Sequence, residues 1–163
     1  VSPEAISLTP PKRSTAGSTA ARLARHLELA LVGLEITPAQ YRMLMQLAQG
    51  DDASSSLAKK LAISPPSVTV VVDGLVQRGA IERTPSSEDR RRISLAITDV
   101  GRSLLDRAEE SISERFGAIA ACLDDPADAA AALGALDLWA EALDNFRLQR
   151  LALRGLDSRE ETK

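Results

Sequence analysis

Three consecutive arginines, Arg90, Arg91 and Arg92, follow Ser-Ser-Glu-Asp and lead into the alternating run Ile-Ser-Leu-Ala-Ile. Guanidinium groups bunched at a turn suit charge-assisted contact with phosphate. They close a wider basic island. From Lys59 to Arg92 there are seven cations (Lys59, Lys60, Arg78, Arg83 and the three arginines) against four acids, so this stretch carries +3 in a chain of net charge −3. A basic island in an acidic protein points to a local polyanion contact. Just upstream, "SPPSVTV" groups the hydroxyls of Ser64, Ser67 and Thr69 with the small apolar side chains of Pro66 and Val70. Such groups cap helices or hydrogen-bond to backbone and base edges.

Catalytic chemistry finds little support. There is one histidine, His26, and one cysteine, Cys122, with no glycine-rich phosphate loop and no His–carboxylate spacing for a metal. Asp124, Asp125 and Asp128 bunch around Pro126, but Asp-Pro-Ala-Asp is how a helix starts. The sequence therefore predicts no enzyme, no cofactor and no metal. A single cysteine excludes an internal disulfide framework and fits a reducing cytoplasm. Its setting among Ala and Leu predicts a buried structural thiol rather than a peroxide sensor. No apolar run approaches the roughly 20 residues of a membrane span, and no N-terminal signal pattern is present.

Aromatics are limited to Tyr41, Phe116, Trp139 and Phe146, so the core must be aliphatic. Residues 1–15 hold three prolines without periodicity and read as a flexible arm. A helix follows over about 18–34, with Leu23, Leu27, Ala30, Leu31 and Leu34 as its stripe. In "ITPAQYRMLMQLAQG", Thr37 is the expected N-cap, Pro38 the first helical residue and Gln40 the capping-box partner, with Gly50 the stop. Tyr41, Leu44, Met45, Leu47 and Ala48 form the predicted apolar face. "SSSLAKKLAIS" is a short third helix that turns Leu57, Ala58 and Leu61 inward and Lys59 and Lys60 outward.

The run Val68-Thr-Val-Val-Val72 has strand-like composition but helical spacing. Val68, Val71, Val72, Leu75 and Val76 fall at i, i+3, i+4, i+7 and i+8, with Ser64 as cap and Gly79 as stop. The propensity cost of a few tenths of a kcal/mol per β-branched residue is outweighed by burial at about 1.5 kcal/mol or more per side chain. After Gly79 the period becomes two: "AIERT" and "RRISLAIT" form a hairpin with its tip at "PSSEDR". Thr98 then caps a helix over about 99–123, with Leu104, Leu105, Ala108, Ile112, Phe116, Ile119 and Ala120 as its stripe. Asp125 caps a last helix that ends at Gly155.

Two helices joined by "AIS" and followed by a hairpin make a helix-turn-helix with a wing. The block Leu57 to Gly101 resembles the winged-helix core of the multiple-antibiotic-resistance (MarR) family of bacterial regulators. The resemblance rests on "LAKKLAIS", "VTVVVDGLVQRGAIER", "SSEDRRR" and "ISLAITDVG". The expected fold is mainly α with a small β-wing: a winged helix-turn-helix domain over 37–98, a helical dimerisation region from 16–36 and 99–155, an arm over 1–15 and a frayed tail over 156–163.

The resemblance implies a cytoplasmic transcriptional regulator, a repressor by expectation, that acts as a homodimer on a roughly palindromic double-stranded DNA operator. Ser64, Pro66, Ser67, Thr69 and Val70 would face the major groove. Arg90 to Arg92 would reach the minor groove from the wing, and Lys59, Lys60 and Arg83 would touch phosphate. It also implies a small aromatic or anionic effector, for which His26, Tyr41 and Arg42 are the candidate polar groups. Family members commonly carry arginines at the positions of Val70 and Gly74, and neither is basic here. Asp73 would repel phosphate unless paired with Arg78 or a wing arginine. The competing reading is a winged helix that contacts protein without specific DNA binding.

Overall fold

The computed structural model describes residues 15–50, 65–85 and 93–160. The chain forms two compact units, Val1–Ile112 and Ser113–Lys163. The fold is mostly helical with one two-stranded antiparallel sheet. The expected N-terminal arm, the short third helix with Lys59 and Lys60, the Ser64 cap and the wing tip with Arg90 to Arg92 lie outside the described residues.

In the first unit, helix α1 (Ala16–Leu31) starts at Thr15, whose hydroxyl accepts from the Ser18 N–H at 3.3 Å, and buries Ala30 and Leu31. A 3-10 turn over Val32–Leu34 follows and closes at Glu35, which takes a left-handed φ of 54°. Helix α2 (Pro38–Ala48) has the expected capping box. The Thr37 hydroxyl accepts from the Gln40 N–H at 3.2 Å, and the Gln40 side-chain oxygen accepts from the Thr37 N–H at 2.9 Å. Its buried face differs from the predicted one. Met43 is fully buried, Met45 only partly, and Ala48 is exposed. The reason is that α2 packs on two sides. Met43, Leu44 and Leu47 enter the main core, while Tyr41 reaches toward Glu109.

The β-branched segment is helix α3 (Pro65–Gln77). Val68, Val71, Val72 and Leu75 are buried, and with Met43, Leu44, Leu47, Ala80, Ile81 and Leu95 they form one aliphatic cluster. Helix α3 ends in a Schellman motif. The Gly79 N–H donates to Val76 O and the Ala80 N–H to Leu75 O, both at 2.9 Å, with Gly79 at φ 66°. The chain then enters strand β1 (Ile81–Pro85), which pairs antiparallel with β2 (Ile93–Ile97) in the register Ile81 to Ile97, Arg83 to Leu95 and Pro85 to Ile93.

At the base of the hairpin, Thr98 joins three elements. Its N–H donates to Ala80 O at 3.1 Å and its hydroxyl donates to Gly79 O at 2.6 Å. The same hydroxyl accepts from the Gly101 N–H at 3.1 Å, which caps helix α4 (Asp99–Ala120). Gly101 lies against Ala80: a Cβ there would sit 2.0 Å from Ala80 O and 2.8 Å from Ile97 Cγ1. The threonine and glycine of "LAITDVG" are thus one joint, in which the hydroxyl bonds both ways and the missing side chain lets two backbones meet.

In the second unit, α4 ends at Ala120. Asp125 then starts helix α5 (Pro126–Glu160), with the Ala127 N–H donating to Asp125 Oδ1 at 2.8 Å. Helix α5 continues through Gly155 instead of ending there, and covers 156–160 of the expected frayed tail. A glycine weakens a helix but stops one only where the chain adopts a C-cap turn, and none forms at this position. The expectation of a buried thiol fails. Cys122 is exposed in the turn between α4 and α5, its Sγ 3.5 Å from Ala118 O. It lies past the last residue of α4, so the apolar stripe of that helix does not carry it inward.

Gly101→Ala is expected to lower unfolding free energy by about 3 kcal/mol or more, since the clash is with backbone that cannot swing aside. Thr98→Val should cost about 1–2 kcal/mol through the two lost hydroxyl bonds. Urea titration checks both, and a Gly101→Ala protein as stable as wild type would contradict the joint.

Candidate nucleic-acid interface

Helix α3 has two chemically distinct sides. The inner side is the valine and leucine face in the core. The outer side presents Pro66, Ser67, Thr69, Val70 and Asp73, all exposed, and Val70 keeps 73 % of its surface open to solvent. A valine left this bare beside hydroxyls offers a small apolar tip where its neighbours can donate and accept hydrogen bonds. Gly74 does not belong to this outer side. It faces α2, where an added Cβ would come within 2.7 Å of the Gln40 amide nitrogen. Gln40 is already engaged in capping α2, so Gly74 leaves room for that cap to lie against α3. An arginine at this position would displace it.

The two described cations of this region are both engaged. Arg78 donates to Glu35 O at 2.6 Å and to Leu34 O at 3.4 Å, and it pairs with the Glu35 carboxylate at 3.5 Å. It therefore ties the end of α3 to the turn between α1 and α2 and supports the left-handed Glu35. Arg83, on β1, forms an ion pair with Asp73 on α3. The partner that the sequence left open for Asp73 is thus Arg83 rather than Arg78. In the hairpin register Arg83 faces Leu95, which places it at the rim of the core face beside the helix.

The candidate effector groups differ in their surroundings. Tyr41 is buried, and its hydroxyl donates to Glu109 Oε1 at 2.8 Å, joining α2 to α4. His26 is half-buried on α1 and Arg42 exposed on α2. A cavity of about 590 Å3 lies elsewhere, lined by Gly33 to Glu35, Arg78 and, on α4, Ser103 and Arg107 among others; none of His26, Tyr41 and Arg42 lines it. Among the described residues no group of histidine, cysteine and carboxylate side chains could hold a metal ion, and no helix is long and apolar enough to cross a membrane.

Comparison with known proteins bears on this geometry. Residues 36–93 match the MarR family. An uncharacterized HTH-type transcriptional regulator of Bacillus subtilis, YhbI, is 35% identical over 83 residues, 50% of this chain and 54% of that protein. The HTH-type transcriptional repressor MdtR of the same organism is 39% identical over 67 residues, 40% of this chain and 43% of that protein. The chain thus spans about half the length of these curated relatives. Among solved structures, the transcriptional repressor CouR bound to a 23-mer DNA duplex superposes with a TM-score of 0.60 at 27% identity, over 77% of this chain and 92% of that one.

Tyr41 is the sole tyrosine, so its ionisation can be followed alone. Burial, and then the hydrogen bond to and charge of Glu109, hold its pKa well above the ordinary value, which is about 10. Because the folded value is the higher one, the associated stability is present below pH about 10 and is lost as pH rises further. Absorbance titration should show little phenolate in the folded protein at pH about 11 and full ionisation once urea unfolds it. A half-ionised tyrosine near pH 10 in the folded state would contradict the buried contact.

Proposed function

We propose that the chain is a member of the MarR family, whose pattern residues 36–93 match, and that it regulates transcription by binding double-stranded DNA as a homodimer. The observation that carries the reading is the outer side of α3. A helix whose inner valines fill the core holds Pro66, Ser67, Thr69 and Val70 out to solvent next to a hairpin. Inserted in a major groove, Ser67 and Thr69 meet base edges or phosphates while Pro66 and Val70 meet thymine methyl groups. Ser64 adds its hydroxyl at the helix start. Arg90, Arg91 and Arg92 enter the narrow minor groove beside it, and Lys59 and Lys60 position the backbone. Residues 37–98 form the DNA-reading domain, and 16–36 with 99–155 form the dimerisation region.

Support for the homodimer comes from α5. Leu136, Trp139, Leu143 and Phe146 recur at three- and four-residue spacing, and Trp139 is 66 % exposed. Apolar surface on that scale marks a contact site, and a second copy covers it. A two-fold dimer reads two half-sites in inverted orientation, hence a roughly palindromic operator. That MdtR and CouR are repressors supports repression as the mode of action. We assign tuning by a small aromatic or anionic effector to the 590 Å3 cavity, where Arg107 offers a guanidinium group. The protein works in the cytoplasm, where its DNA is.

Gel-shift titration across salt concentrations tests the DNA reading. Arg91→Ala should weaken binding to every sequence and reduce the slope of log affinity against log salt by about one; unchanged affinity and slope would refute the wing assignment. Leu143→Glu should turn the dimer into a monomer in sedimentation and abolish tight DNA binding, and a dimer that survives the change would overturn the role of α5.

A further inference from the structure

We propose that Asp73 is a specificity-determining residue. By holding Arg83 in an ion pair, it leaves the outer side of α3 without net charge among the described residues and keeps affinity for random DNA low. The proposal rests on the reading of α3 as a DNA-contacting helix. Its starting point is the charge inventory. Between Pro65 and Ile97, the described residues carry two cations, Arg78 and Arg83, and two acids, Asp73 and Glu82. Arg78 is committed to the carbonyls of Leu34 and Glu35 and to the Glu35 carboxylate. Glu82 lies on the other side of β1, opposite Ala96. Among the described residues, the charges left beside the outer side of α3 are Asp73 and Arg83, and they are bound to each other.

Both partners remain substantially exposed, with 58 % of the Asp73 side chain and 41 % of the Arg83 side chain open. An ion pair this wet contributes little to folding. Its effect on a polyanion is larger. Asp73 follows Val70 by three residues on the outer side of α3, so alone it would repel the phosphates flanking the groove. Arg83 alone would attract them. Paired, they cancel, and α3 is left to read DNA through hydroxyl and methyl groups, which distinguish sequences, rather than through phosphate charge, which does not. Non-specific affinity is almost wholly electrostatic, so removing one net cation from the reading surface lowers it while base contacts are kept, and the ratio of specific to random binding rises.

The test uses the intact chain, a random-sequence duplex and a duplex enriched by selection from a random pool, with affinities measured over a range of salt. Asp73→Asn should tighten binding to the random duplex by about three- to tenfold at low salt and steepen its salt slope by about one. The enriched duplex should gain less, so discrimination falls. Arg83→Gln should weaken both. The double variant is neutral again and should bind the random duplex as wild type does, which separates charge from any general disturbance of the helix. If Asp73→Asn binds the random duplex with wild-type affinity and slope, this inference is overturned while the DNA reading stands. If the wild-type chain binds neither duplex, both fall.

Discussion

The Thr98 hydroxyl is the point on which the arrangement turns. It donates to Gly79 O at the end of α3 and accepts from the Gly101 N–H at the start of α4, while the Thr98 backbone N–H holds Ala80 O. Three elements that would otherwise hinge at a glycine turn are fixed to one another within a few residues. Gly101 allows this because no other residue leaves space for the Ala80 carbonyl. The Schellman turn at Gly79, with Leu75 and Ala80 buried together, closes the same joint from the other side. A helix presented to a rigid duplex gains affinity by being ordered in advance, and this joint supplies the order for α3 and the hairpin together.

That rigidity gives the charge pattern its meaning. With α3 and β1 fixed, Asp73 and Arg83 are held as neighbours, and Arg78 is spent on the turn at Glu35. Among the described residues, the outer side of α3 is therefore without net charge, with a bare valine at its centre. In the proposed reading, electrostatic attraction comes from residues flanking this surface, and sequence discrimination comes from the surface itself. Helix α3 resolves its own conflict between composition and conformation in the same economy of space. Valines are poor helix formers, yet Val68, Val71 and Val72 fill an aliphatic cluster with Met43, Leu44, Leu47 and Leu75.

Much of this could be read from residue order, because the signals were local. Thr37, Pro38 and Gln40 announce α2, Asp125 and Pro126 announce α5, and the spacing of Val68, Val71, Val72 and Leu75 chooses helix over strand. What the sequence concealed depends on partners distant along the chain. Nothing around Tyr41 in the sequence points to Glu109, to which its hydroxyl donates. Met43 is absent from the predicted apolar face, and it is buried because α2 is packed on two sides. Gly74 reads as an outward position until it meets Gln40. Gly155 and Cys122 show a different limit: a glycine does not by itself end a helix, and apolar neighbours in sequence do not bury a thiol that sits in a turn. The pairing of Asp73 with Arg83 was open in the sequence because Arg78 and the wing arginines were all within the same stretch.

In the proposed reading, α3 is presented twice by a two-fold pair and reads two half-sites of one duplex. Selection of bound duplexes from a random pool addresses it most directly, because it presupposes no operator. The expected outcome is enrichment of an inverted repeat whose half-site centres lie one helical turn apart, about 10 base pairs, or a multiple of it. A pool that stays random through repeated rounds, or one that converges on a single half-site without its inverted copy, would contradict it.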